Sequence, residues 1–252
     1  VLEHGIYIFK RQGGIMTHDE RLSRLAWFRG YGDYENSRFL YIGIEEGLAY
    51  ETVNQLEKVL RDYSKIDEPW PIPIQAPAKP INITERMQAR LSIALLKKYG
   101  EHPDEKVAHY DLSNRVEFCA NIYPFGAESQ DKQPKIYNEL FKMEKGEAQH
   151  RIDSQRKRII TEMIRDFVGP KDGLVFIFGK RARAFIDLNL ILEELEIKIS
   201  DDQIKFDGKG TRHFPISYST NLKIWLTGHP SHSWFNEDAI AKIVARCPAS
   251  AQ

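Results

Sequence analysis

Cysteine is almost missing from this chain: Cys119 and Cys247 are the only two in 252 residues. Two thiols cannot build a disulfide framework or a four-thiolate cluster, and they point to a reduced, cytoplasmic setting. No stretch approaches the roughly 20 apolar residues of a membrane-spanning helix. Charge of one sign is not in excess either, since 36 Lys and Arg balance 36 Asp and Glu. Net charge therefore announces no polyanionic partner. No Ser/Gly-rich linker divides the chain and no repeat recurs in it, so one domain is expected. A G-x-S-x-G elbow, a Walker loop and an H-E-x-x-H pair are all absent, which argues against the common hydrolases that depend on them.

What is present is a core-forming composition, 42% apolar, with local patterning. Four segments read as buried strands: RFLYIGI (38–44), RVEFCAN (115–121), GLVFIFG (173–179) and LKIWLTG (222–228). Helical spacing falls between them at about 48–63, 84–99, 154–168 and 180–195, with a last helix over about 234–246. Strand and helix alternate, which predicts a three-layer α/β/α domain around a mostly parallel four-stranded sheet. The segments IKIS, QIKFDG and FPISYS offer further short strands ahead of the last core strand. Residues 1–15 precede Met16, lack a signal-peptide pattern and read as an N-terminal extension to a domain over 16–252. An insertion around 64–113 contains EPWPIPIQAPAKPIN, whose five prolines demand an extended surface loop. Between Arg151 and Arg183, nine Lys or Arg stand against four Asp or Glu, a candidate positive face or a solvated helix surface.

The chemistry-bearing residues gather where the strands end. The first strand leads into GIEEG (Gly43 to Gly47), the second into NIYPFG (Asn121 to Gly126), the third into GKRAR (Gly179 to Arg183) and the fourth into GHPSHS (Gly228 to Ser233). A parallel sheet brings all four ends to one edge, where open α/β sheets bind their ligands. Each piece also has a plain structural reading. His229 and Pro230 make a turn, Ser231 or Ser233 caps the next helix, and Asn121 closes a strand.

Taken in order, GIEEG, the Ala-Asn of FCANIYPFG, FGKRARAF and GHPSHS resemble the motifs of the uracil-DNA glycosylase superfamily over roughly residues 38–246. The resemblance implies a monofunctional DNA glycosylase of that fold, with neither metal nor cofactor, acting as a monomer on a flipped pyrimidine nucleotide in DNA. It implies that Glu45 positions the attacking water, with Glu46 as the rival carboxylate. It also implies that Asn121 reads the base edge and that His229 donates to the base carbonyl. Gly43, Ile44 and Gly47 would line the base pocket, with Tyr50, Trp70, Tyr123 and Phe125 as candidate stacking platforms. Lys180, Arg181, Ser231, His232 and Ser233 would meet the DNA backbone, and Trp234 would wedge into the gap left by the base.

Three departures matter, the first being Glu45, which stands where the family has Asp, Asn or another small residue. Glu46 stands where the family has proline, and Gly47 replaces the tyrosine that bars a 5-methyl group in strict uracil enzymes. That gap implies a pocket open to thymine or to bulkier 5-substituted pyrimidines, in base-excision repair or in defence against foreign DNA. The other expectations are a non-catalytic nucleic-acid-binding protein of the same fold and an α/β hydrolase acting on nucleotides.

Overall fold

The structure is a computed structural model. It describes residues 17–45, 83–103, 116–123, 139, 141–179, 186, 217–218, 223–229 and 235–249. Its frame is a six-stranded sheet of β1 (Tyr31–Gly32), β2 (Phe39–Glu45), β3 (Glu117–Tyr123), β4 (Leu174–Phe178), β5 (Ser217–Tyr218) and β6 (Ile224–Thr227), in the order β1-β3-β2-β4-β6-β5. The inner four strands are all parallel, and the two-residue strands β1 and β5 run antiparallel on the edges. This is the expected α/β/α domain. β5 falls within FPISYS, where a short strand is foreseen, whereas β1 carries no sequence signal.

Central position explains composition. All five residues of β4, Leu-Val-Phe-Ile-Phe, are buried because helices cover both faces of the sheet. Four helices are described: α1 (His18–Trp27), α2 (Ile83–Lys98), α3 (Lys145–Val168) and α4 (Glu237–Arg246). On one face, Leu40, Ile42, Phe118, Ile122, Val175 and Ile177 meet the apolar stripe Ile159, Ile160, Met163, Ile164 and Phe167 of α3. On the other, Phe39, Tyr41, Phe176, Phe178 and Trp225 meet Leu91 and Leu95 of α2 and Ile240 and Ile243 of α4. Tyr41 stacks between Phe176 and Phe178, and its hydroxyl shares a hydrogen bond of 2.6 Å with Ser92 of α2. The helix inside the 64–113 segment is therefore part of the core.

Boundaries differ from the sequence expectations in instructive ways. α1 is an element the apolar pattern does not mark. Its start is written in a capping box, in which Thr17 accepts from the Glu20 amide while the Glu20 carboxylate accepts from the Thr17 amide. α3 begins at Lys145 rather than near 154, because Ala148 and Ile152 extend its buried stripe by two turns. α4 is capped by Asn236, whose side chain accepts from the Ala239 amide, and not by Ser231 or Ser233. The helices expected at 48–63 and 180–195 lie outside the described residues. Among the described residues, no helix is long and apolar enough to cross a membrane.

Candidate active site

Parallel pairing carries β2 and β3 further than their sequences suggest. The ladder runs through Gly43–Asn121 to Glu45–Tyr123, so Asn121 lies two residues inside the strand rather than at its end. Alternation then fixes its face, together with that of Gly43. On the other side, Phe178 pairs with Thr227, and the last β2–β4 pair is Ile42–Ile177. Asn121, Gly43, Phe178 and Thr227 consequently form one row across the four parallel strands, on the face covered by α2 and α4. Glu45 and Tyr123 stand two residues above that row, at the carboxyl ends of β2 and β3. His229 follows Thr227 by the same two residues, and it is half-buried. Two strand spacings, about 10 Å, separate the ends of β2 and β6.

The strand order places a topological switch point at this edge. From β2 the chain crosses to β3 on one side, then returns to β4 on the other, so the connections leaving β2 and β4 diverge. Ligands in open α/β sheets bind at such a divergence. Gly179 ends β4 at φ +89, a value that favours glycine, and its amide donates to the Thr227 carbonyl at 2.9 Å. The Thr227 hydroxyl in turn donates to the Gly228 carbonyl at 2.7 Å, holding the backbone just ahead of His229.

Gly43 and Asn121 touch. A Cβ built on Gly43 would sit 2.6 Å from Asn121 Oδ1 and 3.9 Å from its Cγ. The carboxamide oxygen thus lies over the β2 backbone, and the Asn121 amino group points away from it. Glycine permits this approach because it has no side chain. Gly43→Ala is expected to swing the carboxamide aside at a cost of about 1 kcal/mol, since only a terminal amide must yield. Urea denaturation measures the cost, and the Asn121 side-chain amide resonances report the displacement.

Behind Asn121 is a residue that sequence reading passes over. Arg156 of α3 is fully buried. Its guanidinium donates to the carbonyls of Asn121 at 2.5 Å, Ile122 at 2.8 Å and Ala26 at 3.2 Å, and also to that of Phe28. Its signal is legible in hindsight: Ile152, Arg156, Ile159 and Ile160 share helical spacing, so a cation occupies a core position. Tyr123 is tied to the same helix, donating to Asp153 Oδ1 at 2.8 Å. Its ring packs against the core on the α3 side of the sheet, so the structure does not bring this candidate stacking platform to the face that carries Gly43 and Asn121.

The basic run does not assemble one positive face over its described part. Arg156 points inward, Arg151 pairs with Glu147 at 3.1 Å, and Arg158 lies over the Trp27 ring at 5.0 Å and 3.7 Å from Glu162. Lys171 sits over the Tyr34 ring at 4.9 Å. Phe235 is core, edge-on to Phe178 with ring centroids 6.1 Å apart.

Of the remaining site candidates, Ile44 and Glu45 are placed by backbone alone. Glu46, Gly47, Tyr50, Trp70, Phe125, Lys180, Arg181, Ser231, His232, Ser233 and Trp234 lie outside the described residues. Among the described residues, no group of three or more His, Cys, Asp or Glu is placed to hold a metal ion. The fold defines a doubly wound α/β protein. Beyond that class, no family model matches the sequence, and comparisons with characterised proteins and with solved structures give no match.

Proposed function

We propose that the protein is a cytoplasmic, monomeric DNA glycosylase, a divergent relative of the uracil-DNA glycosylases, that hydrolyses the N-glycosidic bond of uracil or a modified pyrimidine and leaves an abasic site. The observation that carries this reading is the meeting of Gly43, Glu45, Asn121 and His229, from three strands far apart in sequence, along one carboxyl edge.

The reaction dictates the parts. As the C1′–N1 bond breaks, positive charge builds on the sugar and negative charge on the departing base, so an anion is needed beside one and donors beside the other. Glu45 orients a water toward C1′ and offsets the oxocarbenium charge, and the water's proton passes to the carboxylate. Asn121, with its amino group directed away from Gly43, offers a donor to the base edge, and its oxygen is an acceptor. His229 donates to the base carbonyl from beyond the end of β6. The target bond lies within a stacked duplex, so the nucleotide must first be extruded or already unpaired. The defence and repair roles differ only in which base is presented.

Base release tests the reading. The protein, incubated with DNA containing uracil, mismatched thymine or bulky 5-substituted cytosines, is expected to produce abasic sites from at least one of them. Tight binding with no abasic product across the panel would replace it with a non-catalytic nucleic-acid-binding protein of this fold. Phosphate or nucleoside release from free nucleotides would point to a nucleotide hydrolase.

A further inference from the structure

We infer that Arg156 is the positioning residue of the site, fixing from inside the protein the direction in which the Asn121 carboxamide faces the base. The inference rests on the glycosylase reading for its purpose, but its geometry stands apart from that reading.

The β1–β3 ladder covers only Tyr31–Cys119 and Gly32–Phe118. Beyond Cys119, at the end that carries Asn121, two successive carbonyls of β3 are taken by the Arg156 guanidinium instead. The same group holds the carbonyls of Ala26 and Phe28, at and just past the last turn of α1. A planar fork with five donors suits this task. A lysine ammonium has three donors at a single point and cannot serve all four carbonyls at once. Asn121 is thereby pinned twice: its carbonyl by Arg156 on the outer side, and its carboxamide oxygen against Gly43 on the inner side. Releasing the first pin lets the strand end shift, and an ångström of misplacement is enough to lower a rate by about 100-fold.

The test uses the full chain and two kinds of readout. In the wild type, the Asn121 side-chain amide, identified by its loss in Asn121→Asp, is expected to relax as rigidly as the sheet backbone. In Arg156→Lys those resonances are expected to shift or broaden while the core amides of β2 and β4 persist. Base release by Arg156→Lys is expected to fall at least about tenfold with DNA affinity changed less than twofold. In an Asn121→Ala background, Arg156→Lys is expected to add no further loss, because the two act as one unit. A freely reorienting Asn121 amide in the wild type, unchanged resonances in a folded Arg156→Lys protein, or losses that multiply in the double variant would each overturn the inference. If Arg156→Lys does not fold, the wild-type relaxation measurement decides alone. If the wild type releases no base, the glycosylase reading fails while the resonance readouts still judge the positioning role.

Discussion

Replacing His229 with alanine is expected to slow base release by roughly 100- to 1,000-fold, equivalent to about 3–4 kcal/mol of barrier, while unfolding free energy changes by no more than about 1 kcal/mol. The size follows from where charge develops. A donor beside the base carbonyl gains strength only as the base becomes anionic, so its loss falls on the chemical step and leaves ground-state binding nearly intact. Single-turnover release with saturating enzyme should therefore drop while DNA affinity holds. The modest stability effect follows from the half-buried position of His229 beyond the end of β6, where the backbone is already held by Thr227 and Gly179. His229→Gln, which keeps a donor, is expected to retain more activity than His229→Ala. Equal activity in wild type and His229→Ala would reduce this histidine to a turn residue.

The parallel change at the carboxyl end of β2 is Glu45→Ala. If Glu45 positions the water, turnover disappears with the fold intact. A Glu45→Ala protein that still releases base would move that role to Glu46.

How much of this was legible in the sequence depends on which force fixes each feature. β4 was legible because complete burial leaves an unbroken apolar run, and α2 because its buried leucines repeat at helical spacing. α1 escaped because its identity lies in the hydrogen bonds of Thr17 and Glu20, a capping signal that an apolar count overlooks. The convergence of Gly43, Glu45, Asn121 and His229 on one edge follows from alternating strands and helices. The contact between Gly43 and Asn121 does not, since it depends on a register that carries the β2–β3 ladder two residues past the apolar stretch. Arg156 was the hardest to read. A basic residue among basic neighbours suggests solvent, and only the stripe formed by Ile152, Ile159 and Ile160 places it inside.

Stability is expected to fall steeply above about pH 9, for a reason located mainly in the aromatic layer beneath α2 and α4, with Tyr34 contributing from the α3 face. Burial pushes the Cys247 thiol up from 9.0 to about 12, against a partial opposing pull from Lys98 and a hydrogen bond with Trp225. Burial also raises the Tyr41 phenol well above its usual value of 10.0, reinforced by the charge of Glu117. Tyr34 and Tyr99 move in the same direction, burial again leading, with Asp166 adding to the first and Cys247 to the second. A raised pKa on a group that is neutral when protonated means that the native state keeps its proton after the unfolded chain has lost it. The contribution is thus complete below pH 9 and drains away as pH climbs toward the folded values. Cys247 alone should remove about 1 kcal/mol between pH 10 and pH 11, and Tyr41 steepens the decline in the same direction above pH 10. Urea midpoints measured at pH 8, 9.5 and 11 check this. Cys247→Ala should flatten the decline between pH 9 and 10, and Tyr41→Phe should flatten it above pH 10. A midpoint unchanged up to pH 11 would mean that these groups are already open to water in the native protein, and that the layer packed against β2, β4 and β6 is looser than its burial indicates.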